Sequence, residues 1–354
     1  MRKRLHDATG RRPTLADVAR LAGVSTATIS RCLNTPAAVS PATRAKVLAT
    51  IEALGFELDA TARALASGRT MTVGAVVPTL DNAIFASGIQ GLQARLAADG
   101  YTLLLASSEY DPAQEIAQVR ALLQRGADGL MLIGQDHPDE VFERLAQRGV
   151  PYVLTWTLSL AHPSVGFDNA ALAGEVAAYL WSIGHRRIAM IAGRTAGNDR
   201  ARDRLAGVRA VIRARGGTLP GSHVLERDYA IDEGREAMRA LLSLDPRPSA
   251  VTCGNDVLAF GALFEAQAQG LAVPADISIT GFDDLPLAAA LTPALTTVAV
   301  PAAAMGRRAA EYLLRRLAGA TAAARTELPT SLILRGSTGP PLQHAPVRPT
   351  RSQV

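Results

Sequence analysis

The order of apolar and polar positions divides the 354-residue chain into regions of different texture. Between Thr14 and Gly55 apolar residues recur every three or four positions, the period of a helix with one buried face. Leu15, Val18, Ala19 and Ala22 form the first stripe. Thr14 with Asp17 three residues on makes a capping box, and Gly23 can take the left-handed backbone that ends a helix in a sharp turn. Ser25 is the cap of a second helix, whose Ile29 and Leu33 face inward with Val24 and leave Thr26, Ala27, Ser30 and Arg31 outside. Ser40 followed by Pro41 opens a third helix with Val47, Leu48, Ile51 and Leu54 as its stripe. From Asp59 to Arg69 the chain is helix-capable but too poor in apolar residues to pack alone, and it reads as a hinge.

After Thr70 short β-rich runs alternate with longer helical segments. The pattern predicts strands at Thr72 to Val77, Tyr101 to Ala106, Gly129 to Ile133, Tyr152 to Thr155, Arg187 to Ile191, Ala250 to Cys253 and Ile277 to Gly281. Helices are expected at Ile84 to Ala98, Pro112 to Gln124, Ala170 to Ile183, Arg202 to Arg215, Asp256 to Gln269 and Ala302 to Leu317. Such alternation implies right-handed crossovers in an α/β fold of parallel sheets, and this many units fit two doubly wound subdomains better than one wide sheet. The proline-rich, polar stretch 336–354 reads as a disordered tail. The expected organisation is a basic extension over 1–12, a three-helix headpiece over 13–58, a hinge over 59–69, a core over 70–335 and the tail.

Charge sharpens this division. Residues 1–69 hold 11 Lys/Arg against 5 Asp/Glu, while the rest of the chain is nearly balanced, so the basic excess of the whole protein sits in the headpiece. Charge alone fits either a polyanion-binding module there or a solubilising basic tail. Apolar residues at 48% and charged residues at 19% describe a globular protein. The two cysteines, Cys32 and Cys253, lie far apart and suggest neither a disulfide framework nor a metal site. The basic start has no apolar run behind it, and prolines 286, 293 and 301 interrupt the apolar stretch from Leu285 to Met305. A cytoplasmic protein without a membrane span is expected. The sequence has no phosphate-loop, dinucleotide-binding, nucleophile-elbow or zinc-helix motif, and its histidines are scattered, with His185 reading as a surface residue. We expect no enzyme activity, no cofactor and no metal.

Two helices joined by a Gly turn, the second presenting Ser, Thr and Arg, make a helix-turn-helix. The segments TLADVARLAGVSTATISRCLN, VSPATRAKVLATIEALGF and ARALASG resemble the DNA-binding headpiece and hinge of LacI/GalR transcriptional regulators. Later landmarks, VGFDN, GHRRIAMIAG, RLAG, CGNDVLAFGAL, ISITGFDD and LTPALTTV, follow in the family's order. The resemblance implies a periplasmic-binding-protein-like core that dimerises and holds a small effector between its subdomains. It assigns base reading to Thr26, Ala27 and Arg31, and phosphate contact or bracing to Leu15, Ser25, Thr28 and Asn34. Leu65 matches a minor-groove wedge. In the core it marks Asp168, Arg204, Asn255 and Asp283 as effector positions, with Tyr229, Phe85 and Trp156 as aromatic lining, while Asp168 and Asp256 also suit a plain helix cap. Carboxylates and amides suit sugar hydroxyls, aromatic rings suit a sugar's apolar face, and Arg204 could fork onto a carboxylate.

The implied partners are a near-palindromic operator DNA, a second copy of the chain and a sugar-like effector. The runs VVPTLDNAIFASGIQGLQ and AGRTAGNDRARDRLAG are similar to gluconate-type regulators, which makes a sugar acid the first choice. The extension before Pro13 is longer than a headpiece needs, and no leucine-heptad tail suggests a tetramer. The alternatives are a purine-type corepressor-dependent repressor, a solute-binding protein, which the headpiece opposes, and a fusion with a sugar kinase, which the missing phosphate loop opposes.

Overall fold

The computed structural model describes residues 13–34, 38–56, 69–81 and 83–342. The chain forms two compact units, one ending at Met71 and one beginning at Thr72. In the first, helices α1 (Leu15–Ala22), α2 (Thr26–Asn34) and α3 (Pro41–Leu54) surround a small core of Val18, Ala22, Ile29, Cys32 and Val47. The capping box is formed as expected: the Thr14 N–H donates to Asp17 Oδ2 at 3.0 Å and the Asp17 N–H to Thr14 Oγ1 at 3.4 Å. Gly23 ends α1 at φ +65°, a conformation a side chain would oppose, and its N–H returns to the last carbonyls of the helix. Leu48, assigned to the buried stripe of α3, is exposed instead. Val47 beside it fills the inward position. The hinge from Asp59 to Gly68 lies outside the described residues.

The second unit contains, in order, β1 (Thr72–Val77), α4 (Ala83–Ala98), β2 (Thr102–Ser107), α5 (Pro112–Gln124), β3 (Gly129–Ile133), α6 (Asp139–Arg148), β4 (Tyr152–Thr155) and β5 (Ser164–Gly166). Then come α7 (Asn169–Ser182), β6 (Ile188–Gly193), α8 (Asp199–Ala214), β7 (Val224–Arg227), α9 (Ile231–Leu242), β8 (Ala250–Cys253) and α10 (Asp256–Ala268). The last elements are β9 (Ser278–Thr280), α11 (Pro286–Ala290), β10 (Thr297–Ala299), α12 (Ala302–Leu317), β11 (Arg325–Glu327) and β12 (Ser331–Ile333).

Two parallel sheets result, ordered β11-β5-β4-β3-β1-β2 and β7-β6-β8-β9, and a small antiparallel ladder joins β10 to β12. Each parallel sheet defines one subdomain. Strands β1, β3 and β6 are buried along nearly their whole length, as central strands covered by helices on both faces must be. Val76, Leu130, Leu132 and Leu154 fill one core, and Ile191, Val251, Leu263 and Ile279 the other. The chain passes from the first sheet to the second after β5 and returns through the segment from Phe282 to Pro301. The carboxyl ends of β3 and β6 therefore carry loops that meet across a cleft, as the hydrogen bond from the Gln135 N–H to Asp199 Oδ2 shows.

Two further expectations fail. His185 is buried rather than on the surface: its Nδ1 pairs with Ser249 Oγ at 2.9 Å, and its Nε2 lies 3.1 Å from Ser278 Oγ and 2.9 Å from the Gly339 carbonyl. The chain after Gly336 is held against the core through Ser337, Thr338 and Gly339, so the expected tail does not begin there. The Ser337 hydroxyl donates to the Ile279 carbonyl at 2.6 Å and accepts from the Thr296 N–H at 2.8 Å. These small polar residues satisfy backbone groups that would otherwise be buried without partners.

Asp256, in the first turn of α10, is fully buried. It accepts from Thr297 Oγ1 at 2.6 Å and from the Leu285 N–H at 2.7 Å, and so ties α10 to the returning segment. Burial pushes its carboxyl up to about 6 despite those bonds. The folded state then holds this proton more tightly than the unfolded chain, so the carboxyl's contribution to stability falls as pH rises from about 4 to about 6. Replacing Asp256 by Asn removes the titration. Wild-type stability relative to Asp256→Asn should fall by about 2–3 kcal/mol between about pH 4 and about pH 7. Urea unfolding of both proteins across this range checks it, and a pH-independent difference would contradict it.

Candidate functional site

In the headpiece, burial sorts the residues of α2. Ile29 and Cys32 are buried on one side, whereas Thr26, Ala27 and Arg31 are exposed. Ser25 accepts from the Thr28 N–H at 3.2 Å and meets Thr28 Oγ1 at 3.0 Å, so this pair braces the start of the helix. Leu15 packs against the headpiece core. The side chain of Asn34 and the whole of Leu65 lie outside the described residues. The side chains at 26 and 27 are small, and a guanidinium such as that of Arg31 is the group best suited to a two-point contact with guanine.

The core cleft is built around Arg204 on α8. This side chain is buried, donates from Nε to Asn169 Oδ1 at 2.9 Å and from Nη1 to the Gly254 carbonyl at 2.5 Å, and lies 3.7 Å above the Phe282 ring. Asn169 in turn donates to the Trp156 carbonyl at 2.9 Å. One guanidinium thus joins the loops that follow β4, β5, β8 and β9.

Several buried polar atoms have no aligned hydrogen-bond partner among the described residues: Trp156 Nε1, Asn255 Nδ2, Thr280 Oγ1, both carboxylate oxygens of Asp283 and the Tyr110 hydroxyl, the last within reach of the Arg200 guanidinium. Unpaired buried groups of this kind cost of order 1–3 kcal/mol each. Three of the five residues also hold left-handed backbone, Tyr110 at φ +58°, Trp156 at +60° and Asp283 at +123°. Positions of this sort persist where surrounding packing over-determines them, and they cluster at ligand sites. Burial pushes the Tyr110 hydroxyl up to about 12 against the lowering effect of the neighbouring Arg200 guanidinium, so the hydroxyl remains a donor. Burial also raises the Asp283 carboxyl well above the usual range, opposed by Arg204 and reinforced by the charge of Asp256. The cleft can therefore both donate to a ligand and accept from it.

The other expected positions divide. Phe85 packs edge-on against Trp156 with ring centroids 5.3 Å apart. Asn255 caps α10 through Oδ1, accepting from the Leu258 N–H at 2.9 Å, which leaves its amide nitrogen for the cleft. Tyr229 is half-buried, and its hydroxyl accepts from Asn198 Nδ2 at 3.4 Å. Asp168 is exposed and caps α7, accepting from the Ala171 N–H at 3.0 Å, and its neighbour Asn169 is the residue that reaches Arg204. Sequence reasoning missed Tyr110, Asn169, Asp199 and Arg200. A cavity of about 580 Å³ is lined by Trp156 and Asp283 with Ile84, Ser87, Gln90 and Arg307, whereas Tyr110 and Arg200 border a separate pocket of about 40 Å³. The larger has room for a small organic ligand. No cluster of metal-ligating side chains occurs among the described residues.

Comparison with known proteins agrees with both halves. Residues 14–58 match the model for bacterial regulatory proteins of the lacI family, and residues 177–338 match a periplasmic binding protein-like domain. The chain is 36% identical over 333 residues to the ribose operon repressor of Escherichia coli K12, covering 92% of this chain and 99% of that protein. It is 35% identical over 308 residues to the transcriptional repressor PurR of Klebsiella pneumoniae strain 342, covering 86% of this chain and 90% of that one. The crystal structure of the lac repressor dimer bound to operator and the anti-inducer ONPF is similar with a TM-score of 0.82 at 26% identity, covering 93% of this chain and all of that one. The chain belongs to the LacI family of bacterial regulatory proteins and is a DNA-binding transcriptional repressor with a helix-turn-helix headpiece and a periplasmic-binding-protein-like core.

Proposed function

We propose that this repressor acts as a cytoplasmic homodimer on carbohydrate-metabolism genes, with the two headpieces on the half-sites of a near-palindromic operator and a sugar or sugar acid in the core cleft. The observation that carries the effector reading is the coincidence of buried, unpaired polar groups with left-handed backbone at Tyr110, Trp156 and Asp283. A polyol offers hydroxyls that can donate to Asp283 and accept from Tyr110, Trp156 and Asn255, so one ligand class could satisfy all of them. The similarity to PurR raises a purine as a second reading. Against it, Phe282 is buried with Arg204 over its ring, so that ring offers a flat base no open face to stack on.

On the DNA side, Thr26, Ala27 and Arg31 would read bases, with Arg31 dominant, while Ser25, Thr28, Leu15 and Asn34 would set register and Leu65 would wedge the minor groove. Arg31→Ala should cost about 1–3 kcal/mol on an operator obtained by in vitro selection and relax preference at one base pair per half-site. Gel-shift titrations compare operator with random-sequence DNA. Equal losses on both would mean that Arg31 holds a phosphate.

On the effector side, a thermal-shift screen of sugars, sugar acids and purines should find a sugar or sugar acid that raises the melting temperature, because a ligand bound only by the folded state stabilises it. Asp283→Asn should abolish that shift and leave operator affinity unchanged. Stabilisation by a purine alone, or an undiminished shift in Asp283→Asn, would overturn the assignment.

A further inference from the structure

The turn after β3 meets the start of α8 through a run of bonds that grows more exposed towards solvent. Innermost, buried Arg200 donates from Nη1 to the Ile133 carbonyl at 3.2 Å and to Asp199 Oδ1 at 2.8 Å. Next, the Gln135 N–H donates to Asp199 Oδ2 at 3.1 Å. At the rim, Asp136 takes Arg202 in a two-point pair, with Nη2 to Oδ1 at 2.6 Å and Nη1 on Oδ2. Because β3 belongs to the first sheet and α8 follows β6 of the second, Ile133, Gln135 and Asp136 are bound across the subdomain boundary.

The approach is close. Gly134 sits at φ +86°, and a Cβ there would stand 1.9 Å from Arg200 Nη1 and 2.4 Å from Asp199 Oδ1. The turn is braced from behind by His137, whose ring bridges Glu115 Oε1 at 2.5 Å and the Gly134 carbonyl at 3.1 Å. This is a shaped, doubly supported contact between two bodies rather than an isolated surface ion pair.

We propose that this contact is a closure latch: Asp136 and Arg202 are positioning residues that hold the two subdomains together and keep Arg200 against Tyr110, without touching a ligand themselves. The latch sets how much of the population is closed. If the cleft takes the effector as proposed above, apparent affinity scales with that closed fraction, so the latch tunes effector response from outside the ligand's contact shell. Arg200 joins the two, since it bonds the Ile133 carbonyl and also neighbours Tyr110 in the cleft.

Hydrogen exchange of the full chain with no added ligand tests the latch independently of what the cleft binds, so its failure would leave the effector reading standing. In Arg202→Ala and in Asp136→Ala, amides of the turn 134–137 and of the first turn of α8 should exchange about threefold or more faster than in wild type, with the headpiece and the β6 strand unchanged. Arg202 also donates from Nη1 to the Thr195 carbonyl at 3.0 Å within its own subdomain, so Arg202→Ala sets the larger effect, and the double variant Asp136→Ala/Arg202→Ala should exchange no faster than Arg202→Ala alone. Wild-type exchange rates in both single variants would overturn the proposal. So would additive effects in the double variant, or acceleration spread evenly over the core.

Discussion

A buried positive charge organises the core of this repressor. Arg204 cannot be sheltered from water without partners, and its partners come from loops far apart in sequence: Asn169, the Gly254 carbonyl and the face of Phe282. Meeting its needs brings the ends of four strands to one point. Asp283 is drawn beside the same guanidinium, and Tyr110 enters the same field from the other subdomain. The cleft is therefore a consequence of charge burial as well as of sheet topology, whose carboxyl strand ends already face each other.

Around that anchor the fold tolerates local cost. Left-handed backbone at Tyr110, Trp156 and Asp283, and unpaired polar atoms on the same side chains, are features that packing alone would remove. They remain because the surrounding sheets are rigid enough to impose them. The headpiece shows the opposite economy: its caps are formed, its core is filled, and its exposed residues on α2 are small or cationic. One unit has its caps and core satisfied, and the other keeps unmet hydrogen bonds in its interior.

What could be read beforehand was local. The Thr14–Asp17 box, the Gly23 turn and the Ser40–Pro41 start each act within a few residues, and the structure has them where spacing puts them. Long buried strands such as β1 and β3 were equally visible as apolar runs. Of the three-residue strands, β9 is visible inside the apolar run from Ile277 to Gly281, but β5, β10, β11 and β12 are too short to show a period and exist only through pairing with distant chain. For the same reason His185 looked like surface and Ser337 like tail, since their partners lie far along the chain. Tyr110 sits in a turn whose residues carry no special signal, and only its backbone conformation aims it into the cleft. At Asp168 the cap, one of its two readings, is what forms, and the contact with Arg204 falls to its neighbour Asn169.

The central claim is that the cleft and the headpiece form one regulator, and it is tested most directly by calorimetric titration of a cleft ligand into the full-length protein with and without operator DNA. Linkage requires reciprocity: a ligand that changes operator affinity tenfold must have its own affinity changed tenfold by operator, about 1.4 kcal/mol. The account predicts a ligand dissociation constant that differs between the two titrations by the same factor as the operator's own. Identical ligand affinity in the presence and absence of operator would contradict it.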